Sequence, residues 1–367
     1  MQIFVEVVDI TLVIVVVRVI RTVVWYIFTV HCMLVKTSSR YLQGRTVYFV
    51  DEEDCWMLTS DGHAVTCTLA SDLCSDHEEA DTRVILHCIH ASRMSEQTTP
   101  IVVRSPDTDV LILLLSYASS VSQPLYLDTG FGNKRRMVDV KAIAKVLGPE
   151  LCAVLPAYHA FTGCDYTSAF LRKGKVKPFQ ILQRHPHIIK AFKDLGGTAS
   201  INAVQLPPLE QFVCAVYGRP LCSNVNEVRY KLFQARYDVN CNNNSISVPN
   251  GVDLCLIPPC RNSLEVHIMR SNYVAYMWRN AHVSYMQLPT PVGNGWLEAS
   301  DGGIAIQWTQ GDLLPQQLID VLTDEAASCA NSYSNEDCCS FQEVEEDYEL
   351  DNIIDVVFED DDDDNTE

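Results

Sequence analysis

At 367 residues and 47% apolar content, the chain has ample material for a hydrophobic core, as one large domain or two ordinary ones. Its formal net charge of −20 is concentrated at the C-terminus: residues 336–367 hold sixteen of the 47 acids and no base, leaving 31 acids against 27 bases, or −4, for everything before. Fifteen cysteines, odd in number and without a Cys-x-x-Cys, argue against a zinc ribbon or secreted disulfide scaffold and read as reduced thiols of an intracellular protein.

Taken in chain order, residues 1–40 are an apolar segment. The stretch 10–35 is long enough to span a bilayer, yet Arg18 and Arg21 fall inside it, each costing roughly 2.5–3.5 kcal/mol at mid-membrane. Its density of Val and Ile suits buried strands at 3–8 and 12–19, with a membrane anchor as the minority reading. No small-residue cleavage site follows, which argues against a cleaved signal peptide. Short strands are expected at 46–50 and 64–69. Ala80, Val84, Cys88 and Ala91 then form one helical stripe, with Ser75 or Asp76 as N-cap. Residues 101–104 read as a buried strand, and Pro106 opens the helix carrying 110–115. A strand at 125–127 and a helix over 140–147, stopped by Gly148, complete an α/β pattern. It predicts a mixed or parallel central sheet flanked by helices over residues 41–195. Helical spacing at 207–217, 226–237 and 263–280 predicts a mainly helical region over 196–325, with loops and a hairpin at 289–308. Residues 326–367 read as a disordered acidic tail. Cys255 with Cys260, and Cys329 with Cys338 and Cys339, read as buried reduced thiols, with remnants of a metal-binding cluster as the minority reading, and the sequon at Asn243 carries no weight without a secretory route.

The chemistry lies in three acidic bursts at expected strand-to-helix junctions: His77-Glu78-Glu79-Ala80-Asp81, Ser105-Pro106-Asp107-Thr108-Asp109 and Thr162-Gly163-Cys164-Asp165-Tyr166. Clustered carboxylates raise one another's pKa unless cations hold them together. Asp107 and Asp109, two apart, diverge inside a helix but converge when they straddle a strand end and a helix start. Glu79 and Asp81 obey the same rule, whereas Glu78 and Asp81 share a helix face. Asp165 follows Gly163 in a turn that can aim it. An all-oxygen donor set selects Mg²⁺ or Mn²⁺, and two such ions suit phosphodiester hydrolysis. The expected metal ligands are Glu78, Glu79, Asp81, Asp107, Asp109 and Asp165, with Asp107, Asp109 and Asp165 catalytic. His159, in an apolar run, reads as structural or as a further ligand.

In order and spacing, Glu79-Ala80-Asp81, Ser105-Pro106-Asp107-Thr108-Asp109 and Gly163-Cys164-Asp165-Tyr166 resemble motifs of PIN-like nucleases of the flap endonuclease and XPG type. Residues 41–195 are also similar to multicopy, transposon-derived nuclease-like proteins of animal genomes. The resemblance implies a structure-selective 5′ nuclease fold holding two Mg²⁺ ions, with DNA favoured over RNA as partner and the nucleus as location. It also implies a backbone-gripping helix-hairpin-helix at Arg172-Lys173-Gly174-Lys175-Val176-Lys177, to which Lys134-Arg135-Arg136 adds positive charge. The family's opening strand with its aspartate ligand has no match here beyond Glu6 and Asp9. A non-catalytic, nucleic-acid-binding or scaffold relic of the fold is therefore the alternative. Asp107-Thr108-Asp109-Val110 also fits a phosphatase signature with Asp107 as nucleophile, but without that class's downstream Lys and acidic pair.

Overall fold

The computed structural model describes residues 4–7, 44–201, 205–236, 238–240, 245–247 and 256–311. The apolar stretch 10–35, Asp9, Cys255 and the acidic tail lie outside them. Among the described residues no helix is long and apolar enough to cross a membrane.

The fold is mixed α/β. Strand β1 (Phe4–Val7) belongs to a four-stranded sheet discussed below. Strands β2 (Thr46–Asp51), β3 (Asp54–Ser60) and β4 (Val65–Leu69) form an antiparallel meander. Helix α1 (Ala80–Met94) follows, starting where its apolar stripe starts but later than the expected caps. Neither Ser75 nor Asp76 caps it. Asp76 instead accepts the backbone N–H of Met286 at 3.0 Å, tying this loop to the far end of the chain.

Strand β5 (Ile101–Arg104) matches its expected bounds, and Ile101 and Val103 are fully buried. Helix α2 (Thr108–Tyr117) carries six consecutive buried residues, Val110 to Leu115. A helix apolar on every side must be covered on every side. Its N-cap is Asp107, so Pro106 precedes the helix rather than opening its first turn. Strand β6 (Leu125–Thr129) pairs parallel with β5, and β7 (Arg136–Asp139) pairs antiparallel with β6. The sheet order β1-β5-β6-β7 makes it mixed, with a single parallel pair.

Helix α3 (Val140–Thr162) runs well past the expected stop. Gly148 does break it, at φ 78° and ψ 162°, but the chain turns helical again at Pro149. Proline suits a first helical turn, where its missing N–H has no partner to lose. The resumed segment buries Val154 to Thr162 without interruption and carries His159.

Beyond it come α4 (Val176–Gln183), α5 (Pro186–Asp194), α6 (Leu206–Val216), α7 (Val225–Arg236), the short pair β8 (Asp238–Asn240) and β9 (Ser245–Ser247), then α8 (Arg261–Arg279). A hairpin of β10 (Trp296–Glu298) and β11 (Ile304–Ile306) closes the described chain. Tyr158 and Phe161 of α3 meet Phe179, Phe192 and Phe212 at ring separations such as 5.2 Å and 5.3 Å, mostly edge to face, the favoured arrangement for aromatic quadrupoles. One apolar cluster runs from Tyr48 to Ala281, so the stretches on either side of residue 195 share a core.

Candidate metal centre

Two helix N-termini meet at the site. Asp81 is the second residue of α1, and Asp107 and Asp109 flank the start of α2 where β5 ends. The short chain from β5 fixes their aim through local bonds. Ser105, fully buried, accepts the N–H of Asp107 at 3.1 Å, and Asp107 Oδ1 accepts the N–H of Asp109 at 3.0 Å. One oxygen from each of Asp81, Asp107 and Asp109 lies within 4.8 Å of the others.

Such crowding has an electrostatic cost. Burial, with the charges of Asp107, Asp109, Glu79 and Asp165, pushes the Asp81 carboxyl up to about 8. Burial also raises Asp107, with Asp109 adding to it. Asp109 goes the other way. Against the upward push of burial, the hydrogen bond from His159 and the charges of His159 and Lys175 hold it below the ordinary aspartate range. Asp81 Oδ1 is sealed from solvent and has no hydrogen-bond donor. A buried acceptor without a donor is costly. A hard cation among three carboxylates would satisfy it and relieve the repulsion, so the residues fit Mg²⁺ or Mn²⁺.

The other expected ligands stand outside this trio. Glu79 is the N-cap residue of α1 by backbone, but its side chain makes no cap bond. Trp278 Nε1–H donates to Glu79 Oε2 at 3.2 Å, and the Tyr166 hydroxyl binds the same carboxyl. Burial still raises Glu79 to about 7. Asp165 is exposed, in a turn closed by mutual backbone bonds of Cys164 and Thr167 at 3.2 and 3.1 Å. Gly163 starts that turn at φ 125°, and a Cβ there would lie 2.8 Å from Ala169 Cα. Asp165 is close enough to raise Glu79 and Asp81 but stands outside the three-carboxylate group. Glu78 is exposed and also outside it.

His159 is the main addition. Only 1% exposed, it reaches across from α3, and its Nε2 lies 2.7 Å from Asp109 Oδ1. A carboxylate can only accept here, so Nε2 carries the proton. Lys175 Nζ stands 3.0 Å from Nδ1 and 3.4 Å from Nε2 of the same ring. Trp278 lies near the imidazole, ring centres 5.9 Å apart. His159 is therefore neither a spare core histidine nor one of the three clustered ligands: it holds one of them.

The expected basic surface needs correcting at Lys175, which is 6% exposed and faces the carboxylates from inside rather than a ligand from outside. Arg135 spends its fork on Asp128, with Nε to Oδ1 at 2.8 Å and Nη2 to Oδ2 at 2.6 Å. Lys173 Nζ sits 4.2 Å over the Tyr217 ring. Lys134, Arg136, Arg172 and Lys177 are exposed. Gly174, at φ 56°, lies in the loop before α4.

The expected first-strand ligand also meets a topological obstacle. Strand β1 runs antiparallel to β5, pairing Phe4 with Arg104 and Val7 with Ile101. Its carboxyl end therefore lies at the edge of the sheet opposite Asp107. Compared with protein-family models, curated proteins and solved structures, the chain matches none of them.

Proposed function

We propose that this protein is a divalent-metal-dependent phosphodiester hydrolase acting on nucleic acid, of the PIN-like nuclease type. The observation that carries the reading is the approach of one oxygen each of Asp81, Asp107 and Asp109 to within 4.8 Å of one another, with Asp81 Oδ1 buried and without a donor. When bound, Mg²⁺ or Mn²⁺ supplies Lewis-acid stabilisation to the phosphoryl oxygens; the resemblance implies two ions. The chain's own residues do the rest. Asp81, Asp107 and Asp109 hold the ion, His159 fixes the Asp109 carboxylate, and Trp278 and Tyr166 hold Glu79 beside the site. Exposed Lys134, Arg136, Arg172 and Lys177 offer charge to a phosphate backbone, DNA before RNA. That substrate fits a nuclear protein.

A specific observation favours the second reading, a non-catalytic nucleic-acid-binding or scaffold relic. The antiparallel β1 brings no carboxyl-end residue to the Asp107 edge, where the nuclease pattern needs one. Mg²⁺-dependent cleavage of 5′-flap and single-stranded substrates separates the two. The nuclease reading expects cleavage by the wild type that is lost in Asp107→Asn, a substitution that keeps a capping side chain. Binding without cleavage supports the relic.

A further inference from the structure

A buried ammonium must be balanced by negative charge, or its desolvation would be prohibitive. Lys175 is such a group, and its charge acts on Asp109 and Cys164. An ammonium on the in-plane lone pair of one imidazole nitrogen is far from the other. Contacts of 3.0 and 3.4 Å to both nitrogens of His159 therefore put Nζ over the ring, as in a cation–π contact. Lys175 and Asp109 thus lie against the same buried imidazole, one over its face and one at its edge.

This arrangement limits what the carboxylates can bind. Asp109 Oδ1 is taken by His159, Asp107 Oδ1 by the Asp109 N–H, and Glu79 Oε2 by Trp278. One divalent ion together with Lys175 neutralises the three aspartates, so a second would enter a partly buried site where none of their charge is left to balance it.

We propose that Lys175 is a built-in cation of the carboxylate centre, held over His159, so that the centre loads one divalent ion at Asp81, Asp107 and Asp109 rather than two. The proposal rests on the metal reading above and makes Lys175 a positioning residue. It acts on the ion through His159 and Asp109.

The test is Mn²⁺ titration of the metal-stripped full-length chain, followed by calorimetry and by the loss of free-ion EPR signal. The wild type should take up one Mn²⁺. Lys175→Met should take up a second, and Lys175→Arg should stay at one. Melting curves confirm that each variant is folded, and Lys175→Gln, which keeps a polar group in the buried site, stands in should the Met variant unfold. Two ions in the wild type, or one in a folded Lys175→Met or Lys175→Gln, would overturn the built-in cation while leaving the metal reading intact. No Mn²⁺ uptake by the wild type would instead remove the metal reading itself.

Discussion

Replacing Asp81 by asparagine separates what the carboxylate costs the empty fold from what it gives a bound ion. In the unfolded chain Asp81 loses its proton near 3.8, whereas in the fold it keeps it to about 8. Between those values the folded state binds the extra proton, so stability falls as pH rises, by about 1.4 kcal/mol per pH unit. Below about pH 4 both states are protonated, and above about pH 8 both are ionised, so the slope vanishes at either end. From about pH 5.5 to about pH 8, Asp81 alone accounts for a loss of up to about 3 kcal/mol, an upper bound because neighbouring groups relax. Asparagine has no proton to lose. In EDTA, the stability of Asp81→Asn relative to wild type should therefore grow by about 1–3 kcal/mol over that window, read from urea unfolding midpoints. Saturating Mn²⁺ should reverse the order, since only the wild type gains binding energy, about 2.7 kcal/mol at a hundredfold excess over Kd. A difference between variant and wild type that is flat with pH in EDTA would refute the description of Asp81 as a crowded, protonated carboxyl.

Other substitutions probe the supporting parts. Asp107→Ala should lose about 1 kcal/mol of stability with its cap, while Asp107→Asn should keep nearly all of it. Both should lose Mn²⁺ binding, so stability and metal uptake part company only in the Asn variant. Gly163→Ala puts a methyl 2.8 Å from Ala169 into a φ of 125° and should cost roughly 1–3 kcal/mol in thermal or urea unfolding. Trp278→Phe removes both a hydrogen bond to Glu79 and part of a fully buried ring. It should cost about 1–3 kcal/mol in unfolding and raise the pH at which Glu79 titrates, followed by carboxyl infrared bands.

What the sequence disclosed follows from how local each feature is. Strand β5 and helices α6, α7 and α8 lie within a residue or two of their expected bounds, because their apolar spacing and flanking breakers are contained in the segment itself. Strand β3 escaped notice because Asp54–Ser60 mixes exposed, half-buried and buried positions. Strand β7 is four residues with three exposed, and its place depends on pairing with β6. The long α3 was cut short because Gly148 and Pro149 look like a terminator, whereas the glycine is a break and the proline a restart. Asp107 and Asp109 were visible because a strand-to-helix junction delivers neighbouring residues to one edge, whereas Asp81 opens a helix that starts well after β4 ends. The partners were not visible. Asp109 and His159 are 50 positions apart, and Trp278 and Glu79 are 199 apart. The only advance sign was a histidine in an otherwise apolar run, which once buried must find a partner that composition cannot name. Lys175 misled for a related reason: a lysine beside Gly174 among other cations reads as surface. Its true surroundings, with the Tyr158 hydroxyl on its carbonyl and its ammonium against His159, exist only after α3 and the loop before α4 have packed.

The most direct measurement is anomalous diffraction from a crystal of the full-length chain soaked in Mn²⁺. An anomalous peak bounded by oxygens of Asp81, Asp107 and Asp109, at about 2.0–2.3 Å as for a hard octahedral ion, is the predicted result. Saturating Mn²⁺ with no density between those three carboxylates, or density held elsewhere on the chain, would contradict the metal centre and the hydrolase built on it.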